Sequence, residues 1–372
     1  MINDFRRYLK KSIINTFRFP FLRASIKRSR SHRIVHVKNG GIGAGGANNY
    51  MFEIIDNLED YEQYIWYERG RTFGFRNDVK AYTGNIKRFL EIVRPKIVQI
   101  HFGGGGRECL KQVWKSKVEL EYKVIFTFHK LSKPFLLDSI DCNLFVNEFY
   151  TKLPKYSKLE NKKVISGGVN ENIYQHQKKL PNKQFTVGRI SRVDDEKIDS
   201  GMTDILNEFA DRDDIKFYFI GGTKKKIEDL LLPRIPNSIL RRTKIDKRVV
   251  KLSDKIDKMK ELDVFIHFTS KNCNSGMGEN FSIALIEAMM LGIPIVTENR
   301  GGIKNQIRHG YNGFLCDSVY DYFKYTILLL DNIEIWENMS KNARKHAEKY
   351  FSSRVMAGKT RKLYEELLSV SS

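Results

Sequence analysis

Short apolar runs alternate with amphipathic stretches along most of this chain, and the alternation occurs twice. In the first half the runs are RIVHV, QYIWY, KIVQIHF, KVIFTFH and CNLFVN, with NDVKAYTGNIKRFLEIVR between them as a helix by its spacing of apolar residues. A polar, turn-rich segment follows, and the runs FTVGRI, IKFYFIGG, VVKLS, DVFIHFT, IPIVTE and GFLC restart the pattern. Such runs are typical of strands in parallel sheets covered by helices. The sequence therefore predicts an α/β fold of two Rossmann-like domains, with the loops at the carboxyl ends of both sheets facing one cleft.

The length of 372 residues suits about two domains. We expect a first Rossmann-like domain at 34–168, a linker at 169–184 and a second Rossmann-like domain at 185–345. The stretch 346–372 is helical by composition, with a break at FSSR, and we expect it to cross back to the first domain.

The formal net charge of +21 points to an anionic partner. Residues 1–33 carry ten Lys and Arg against one Asp, interleaved with aromatic and aliphatic residues. This basic amphipathic segment favours contact with an anionic membrane surface, the alternative being an ordinary surface helix or a disordered tail. The other basic runs have few aromatics on which bases could stack, so nucleic acid is not expected as a partner.

Cysteine usage and hydropathy bear on the compartment. The four cysteines have no paired spacing, which indicates a reducing environment without a disulfide framework or a zinc site. No apolar run approaches the roughly 20 residues that span a bilayer, and the N-terminal segment lacks the features of a secretory signal. We expect a cytoplasmic protein that is peripheral at the membrane.

Glycines follow the first apolar run. Gly41, Gly43 and Gly46 satisfy G-x-G-x-x-G between a predicted strand and a predicted helix, and Glu68 stands where a ribose-binding carboxylate of an NAD-dependent Rossmann oxidoreductase would lie. Glycines at this turn also serve any doubly wound domain, because they let backbone amides approach a ligand. The motif alone leaves both interpretations open.

The richest stretch is SGMGENFSIALIEAMMLGIPIVTENRGGIKNQI, residues 275–307. Its pattern predicts a glycine loop, a helix capped by Ser282, and a stop at GIP before a strand. Glu279 then precedes the helix and Glu287 lies on it. Amides and the positive helix end suit phosphate, while carboxylates accept hydrogen bonds from sugar hydroxyls, so the arrangement suits a sugar nucleotide.

The segment GENFSIALIEAMMLGIPIVTENRGGIKNQIRHGYNGFLCD resembles the signature phrase of glycosyltransferase family 4 over about 40 residues in order and spacing. Members of this family are retaining enzymes of the GT-B fold with an E-x7-E motif. The segments VISGGVNENIY, FTVGRISRVDDEK, FYFIGG and VIFTFHK are similar to further landmarks of the family. Asn305 stands where the family commonly has Glu, and SGGVN replaces its PNGVD.

The resemblance implies that the domain at 34–168 takes the acceptor and the domain at 185–345 takes the nucleotide-sugar donor, and it implies a role for individual residues. Arg189 and Lys197 would hold the donor diphosphate, with Arg192 as a rival ligand. Glu279 would contact sugar hydroxyls at the reacting centre, and Glu287 would bind the ribose. The remaining implied site residues are the family's active-site histidine and the loops that face the donor: His129; Gly45 and Gly46; Asn280, Phe281 and Ser282.

The resemblance implies a retaining hexosyltransferase. It would move a sugar from a UDP- or GDP-linked donor to a glycan, a lipid-linked acceptor or another hydroxyl. We expect neither a metal nor another cofactor, because fixed cations and helix amides suit the diphosphate and the acid cluster DRDD is typical of a solvated turn. The alternatives are a sugar-nucleotide epimerase of the same fold, the NAD-dependent oxidoreductase, and a basic module that binds nucleic acid or membranes.

Overall fold

The structure is a computed structural model that describes residues 32–38, 45–68, 81–102, 107–130, 140–176, 184–249 and 251–369. It divides into two compact units. One ends at Gly167 and takes up the chain again from Met356, and the other is Gly168–Val355. The expected basic segment at 1–33 falls almost entirely outside the described residues.

The first unit is built around a parallel sheet of seven strands within the described ranges. Its strands are β1 (Arg33–Lys38), β2 (Glu62–Tyr67), β3 (Ala81–Tyr82), β4 (Ile97–Phe102), β5 (Lys123–Phe128), β6 (Cys142–Phe145) and β7 (Lys162–Val164). The helices between them are α1 (Gly46–Asn57), α2 (Ile86–Val93), α3 (Arg107–Leu120) and α4 (Glu148–Thr151), followed by a 3-10 turn at Pro154–Tyr156.

The second unit repeats this plan with six parallel strands among the described residues. They are β8 (Phe185–Ile190), β9 (Ile215–Ile220), β10 (Thr243–Asp246), β11 (Val264–His267), β12 (Ile295–Glu298) and β13 (Phe314–Cys316). The helices are α5 (Ser200–Asn207), α6 (Lys224–Lys226), α7 (Asn237–Leu240), α8 (Leu252–Lys260), α9 (Ile283–Met290), α10 (Val319–Asp331) and α11 (Ile333–Phe351), and the last helix, α12 (Ser353–Ser369), belongs to the first unit from Met356 onward. Shorter turns are a π-helical one at Ile227–Leu231 and 3-10 ones at Leu232–Arg234 and Ile303–Asn305.

Both sheets share one strand order. The first runs β3-β2-β1-β4-β5-β6-β7 and the second β10-β9-β8-β11-β12-β13, and every recorded pairing is parallel. In each sheet the order reverses beside its first strand, between β1 and β4 and between β8 and β11. Ligands of open parallel sheets bind outside the carboxyl ends of the strands at such a switch point. The prediction of an α/β fold with two Rossmann-like domains is therefore confirmed.

Two predicted elements are wrong. The run VVKLS is not a strand: the edge strand is β10, which pairs with β9, while Leu252 and Ser253 open the amphipathic helix α8. In the described part of the predicted helix at 77–94, residues 81–94, the helix is α2, because the Asn85 side chain accepts from Arg88 N and caps the helix there. Ala81 and Tyr82 instead pair with β2 as a short edge strand. In both places polar residues at a sheet edge weaken the periodicity on which the prediction depended.

The ends of the second unit are tied to each other. Val169 N donates to Phe351 O, and Ser353 N donates to Val169 O, so residues 169–176 belong to this unit. A Cβ added to Gly168 would lie 2.7 Å from Ser352 O, which explains the glycine at the crossing. The helices α11 and α12 meet at Ser352, which is where the FSSR break was expected.

Helix α12 returns the chain to the first unit. The Tyr364 hydroxyl donates to Gln99 Oε1 at 2.5 Å, and Arg361 pairs with Asp60. Tyr364 is fully buried, so this helix covers part of the first sheet. None of the helices in the described ranges combines the length and the apolar character that crossing a membrane requires.

Candidate active site

Arg189 lies at the carboxyl end of β8, beside the switch point of the second sheet. Its side chain is 4% exposed, yet within the described residues its Nε and Nη2 have no hydrogen-bond partner. Burial lowers the pKa of its guanidinium, and the nearby Glu279 opposes that effect. A buried cation with two unused donors is costly unless a ligand supplies acceptors. Arg192, the rival, is an exposed residue paired with Asp194 at 3.0 Å.

Glu279 lies at the same switch point and is held by two side chains. Lys197 Nζ is 2.7 Å from Glu279 Oε1, and His267 Nε2 is 2.9 Å from Oε2. Thr297 Oγ1 lies 3.2 Å from the other ring nitrogen of His267. Burial would raise the pKa of Glu279, but the Lys197 charge and the His267 hydrogen bond outweigh it and keep the pKa well below its usual range. Two predicted residues from separate segments thus meet around an ionised carboxylate.

Glu287 lies on α9 and is almost completely buried. Lys255 Nζ contacts both of its carboxylate oxygens at 2.5 Å, and the Tyr174 hydroxyl donates to Oε1 at 2.6 Å. Side-chain exposures of 12% for Lys255 and 2% for Glu287 make this a buried ion pair. A ribose hydroxyl that reaches Glu287 would have to share the carboxylate with Lys255.

The turn into α9 is shaped by glycines and by Gln306. Gly276 and Gly278 adopt φ of +87° and +80°, a region that side chains rarely enter. Ser282 is the N-cap residue, but the prediction that its side chain caps the helix is wrong, since no side-chain hydrogen bond is made there. Gln306 Oε1 instead accepts from Ser282 N at 2.8 Å, so this amide is already used.

The residues between Glu279 and Ser282 differ from each other. Both polar side-chain atoms of Asn280 are buried and lack a partner in the described part of the chain, as expected of a group that awaits a ligand. The ring of Phe281 packs against Phe351 with 6.1 Å between ring centroids, so its side chain belongs to the core of the second unit.

The first unit holds the other predicted site residues. Gly45 precedes α1 in an extended conformation, and a Cβ added there would meet nothing within 4 Å, so the described structure does not require glycine at this position. Gly46 is the exposed first residue of the helix. His129 follows β5, and its Nε2 lies 3.2 Å from His101 Nδ1. Burial lowers the pKa of His129 to about 3, with a contribution from the Lys38 charge.

The described ranges contain no group of three or more His, Cys, Asp or Glu side chains arranged to hold a metal ion. In the DRDD segment Arg212 forms two hydrogen bonds to the Asp214 carboxylate, at 2.9 and 2.7 Å. This acid is therefore engaged in an ion pair of the surface.

Sequence reasoning missed several residues that organise both sites. Lys255 lies in the lysine-rich helix α8, and the prediction of a strand at VVKLS hid the start of that helix. Tyr174 lies in a segment that was predicted to be a linker. His267 could have been noticed, because it ends the apolar run DVFIH at the edge where site residues gather. His36 and His101 lie within apolar runs in the same way and were overlooked as core positions.

Two parallel α/β units with polar side chains at the switch points define the GT-B class of glycosyltransferase folds, and solved structures agree. The crystal structure of Anabaena Alr3699/HepE in complex with UDP superposes with a TM-score of 0.72 at 15% identity, covering 90% of this chain and 100% of that chain. A glycosyltransferase from Rickettsia africae ESF-5 gives 0.73 at 16% identity, covering 91% and 99%. At such identities the likeness establishes the GT-B fold.

Residues 170–346 match the sequence model of the family Glycosyl transferases group 1, so the second unit carries a domain of that family. The putative glycosyltransferase YtcC of Bacillus subtilis is 31% identical over 110 residues, which are 29% of this chain and 26% of YtcC. The first curated relatives are thus matched over about a quarter of their length.

Proposed function

We propose that this protein is a retaining glycosyltransferase that moves a sugar from a UDP- or GDP-linked donor to the hydroxyl of a glycan or lipid-linked acceptor, without a metal ion. The observation that carries the proposal is Arg189, a buried guanidinium with two unpartnered N–H groups beside the Lys197–Glu279 pair. The structure of Alr3699/HepE with UDP supports a uridine diphosphate as one donor product. The signature around Glu279 and Glu287 supports assignment to family 4.

The proposed chemistry follows from charge. When the bond between the anomeric carbon and the diphosphate breaks, its electron pair leaves with the diphosphate, and the sugar gains positive character. Arg189 offers its two free N–H groups to phosphate oxygens, and Lys197 adds a second cation. The amides that open α9 lie at the positive end of the helix and add to this stabilisation.

The carboxylates serve the sugars in this proposal. Glu279 is kept ionised by Lys197 and His267, so it accepts hydrogen bonds from hydroxyls of the transferred sugar and opposes the positive character at the anomeric carbon. Glu287 takes the ribose hydroxyls while sharing its charge with Lys255. Retention of the anomeric configuration requires the acceptor hydroxyl to attack the face of the sugar from which the nucleoside diphosphate departs.

Ligand-induced thermal stabilisation tests the donor site. Saturation to about 100 times the dissociation constant raises the free energy of unfolding by about 2.7 kcal/mol. We expect UDP or GDP to stabilise the wild type with EDTA present, and Arg189→Met to abolish the effect. Arg192→Met is the matched control, because this guanidinium is exposed and paired with acids of its own loop, and it should behave as the wild type.

Turnover tests the reaction. Incubation with a panel of sugar nucleotides and hydroxyl acceptors should release the nucleoside diphosphate only when the correct donor and acceptor are both present. Stabilisation by NAD alone would support the oxidoreductase and overturn the proposal. Conversion of a sugar nucleotide into its epimer, with no acceptor required, would instead identify an epimerase.

A further inference from the structure

A row of hydrogen bonds crosses four neighbouring strands of the first sheet. Gln63 Oε1 lies 2.9 Å from His36 Nε2, His36 Nδ1 lies 3.0 Å from His101 Nε2, and His101 Nδ1 lies 3.2 Å from His129 Nε2. The strands are β2, β1, β4 and β5 in their spatial order, and the row runs along one face of the sheet. His36 and His101 are fully buried, whereas His129 is only half-buried.

The orientation of the Gln63 amide is set by the backbone. Its Nε2 donates to Ile55 O at 3.0 Å and to Leu58 O at 2.9 Å. A flipped amide would aim its oxygen at two carbonyl oxygens and lose both bonds. Gln63 Oε1 therefore faces His36 as an acceptor, and His36 Nε2 must carry the proton that is donated to it.

The protonation of the whole row follows from this one amide. Burial lowers the pKa of His36 to about 4 and that of His129 to about 3, and it places the pKa of His101 well below its usual range, so all three rings are neutral near pH 7. A neutral ring with a proton on Nε2 has an acceptor at Nδ1. Hence His36 Nδ1 accepts from His101 Nε2, and His101 Nδ1 accepts from His129 Nε2.

The row ends at an unprotonated ring nitrogen of His129. With its proton on Nε2, His129 has an unprotonated Nδ1, and no described residue hydrogen-bonds that atom. We propose that Gln63, His36 and His101 are positioning residues that hold His129 as the Nε2–H tautomer, so that its Nδ1 accepts a hydrogen bond from a substrate hydroxyl. That His129 Nδ1 accepts from a substrate hydroxyl rests on the proposed glycosyltransferase function, whereas the assignment of the His129 tautomer does not.

Nearby groups are consistent with a neutral acceptor. Lys38 is buried close to His101 and His129, and its charge disfavours a proton on either ring. Tyr50 meets the ring of His129 edge-on with 5.1 Å between centroids, and its hydroxyl donates to Ile165 O, so it does not compete for Nδ1. The ring of His129 is thus fixed by packing as well as by its hydrogen bond.

Nitrogen NMR of the full chain labelled with 15N-histidine tests the tautomer directly. The chain has eight histidines, so the His129 signals are assigned by their loss in His129→Asn. We expect the Nε2–H pattern for His36, His101 and His129 in the wild type. The Nδ1–H pattern at His129 in the wild type would overturn the proposal whether or not the chain transfers sugar.

Substitution of Gln63 tests the row. Gln63→Leu removes the acceptor and should give His129 a mixture of tautomers and about a tenfold loss of kcat/KM, which is what a substrate hydrogen bond contributes. Gln99→Leu is the matched control, since Gln99 is buried on the same face but bonds to Thr127 and Tyr364 outside the row.

The outcomes separate the two proposals. If Gln63→Leu changes the tautomer of His129 and kcat/KM no more than Gln99→Leu does, the row has no positioning role. If the wild type shows no transfer with any donor but has the expected tautomers, the glycosyltransferase function fails and the tautomer assignment stands. Should Gln63→Leu not fold, the wild-type spectrum still decides, because it could show the Nδ1–H pattern at His129.

Discussion

Replacement of Lys255 by Met tests how the second unit tolerates a buried charge. Lys255 contacts both carboxylate oxygens of Glu287, and the side chains are 12% and 2% exposed. Methionine keeps most of the aliphatic length of lysine and removes the ammonium. Among the described residues, Glu287 would then retain the hydrogen bond from the Tyr174 hydroxyl.

The magnitude follows from desolvation. Removal of one partner of a buried ion pair costs about 3–5 kcal/mol, because the remaining charge is neither hydrated nor compensated. The double variant Lys255→Met/Glu287→Gln leaves no unpaired charge, so it should recover a large part of that loss. Lys244→Met removes a cation from an ion pair of 2.8 Å with Glu261 in which both side chains are about half exposed, and it should cost less than about 1 kcal/mol.

Hydrogen exchange followed by mass spectrometry reads each unit separately. Amides of α9 should exchange about two to almost four powers of ten faster in Lys255→Met, which is 3–5 kcal/mol at about 1.4 kcal/mol per power of ten. Peptides from β4 and β5 of the first unit provide an internal reference. An effect of Lys255→Met on α9 no larger than that of Lys244→Met would refute the assignment of a buried, compensated pair.

Three further changes have expected outcomes. Gly188→Ala should destabilise the second unit by about 1–3 kcal/mol in urea unfolding, because the added Cβ would overlap Tyr218 O on β9, and an unchanged midpoint would contradict this packing. The buried His36, whose pKa burial lowers to about 4, binds a proton in the unfolded chain below pH 6.5 but not in the folded one, so it alone lowers the free energy of unfolding by up to about 1.4 kcal/mol per pH unit between pH 6.5 and 5, and His101 and His129 act in the same direction; a level pH profile of urea unfolding would argue against neutral buried rings. Arg361→Ala breaks an exposed ion pair with Asp60. It should lower the free energy of unfolding by about 1 kcal/mol or less, so the melting temperature of the chain should hardly change.

The fold was accessible from the sequence because its strands are buried on both faces. Runs such as KIVQIHF and DVFIHFT are apolar almost without interruption, and each proved to be a central strand of its sheet. The errors fell at sheet edges, where VVKLS was mistaken for a strand and the true edge strand β10 reads TKID. A strand with one neighbour needs fewer apolar residues, so its pattern is weak.

The site was accessible only in part. The pairing of Glu279 with Lys197 joins residues 82 positions apart, and the resemblance to a family signature selected both without giving any reason for their contact. Lys255 and Gln63 were missed, since a lysine in a lysine-rich helix and a glutamine in a strand look like surface residues. Their roles depend on which carboxylate or imidazole lies opposite, and that depends on the tertiary structure.

The switch points of the two sheets differ in the hydrogen-bonding groups that they leave unused, and the proposed function depends on this difference. Around β8 and β11 the buried groups are Arg189, Lys197 and an ionised Glu279, a set with unused cationic donors that suits an anion. Around β1 and β4 the imidazoles of the row are neutral, because burial lowers their pKa values and the Lys38 charge lowers those of His101 and His129 further, and such groups exchange hydrogen bonds with uncharged hydroxyls. A transferase that brings a diphosphate to one unit and a hydroxyl to the other would need this asymmetry. Arg189→Met should therefore weaken nucleotide binding, while Gln63→Leu should lower kcat/KM without changing the affinity for the nucleotide diphosphate, as measured by titration calorimetry.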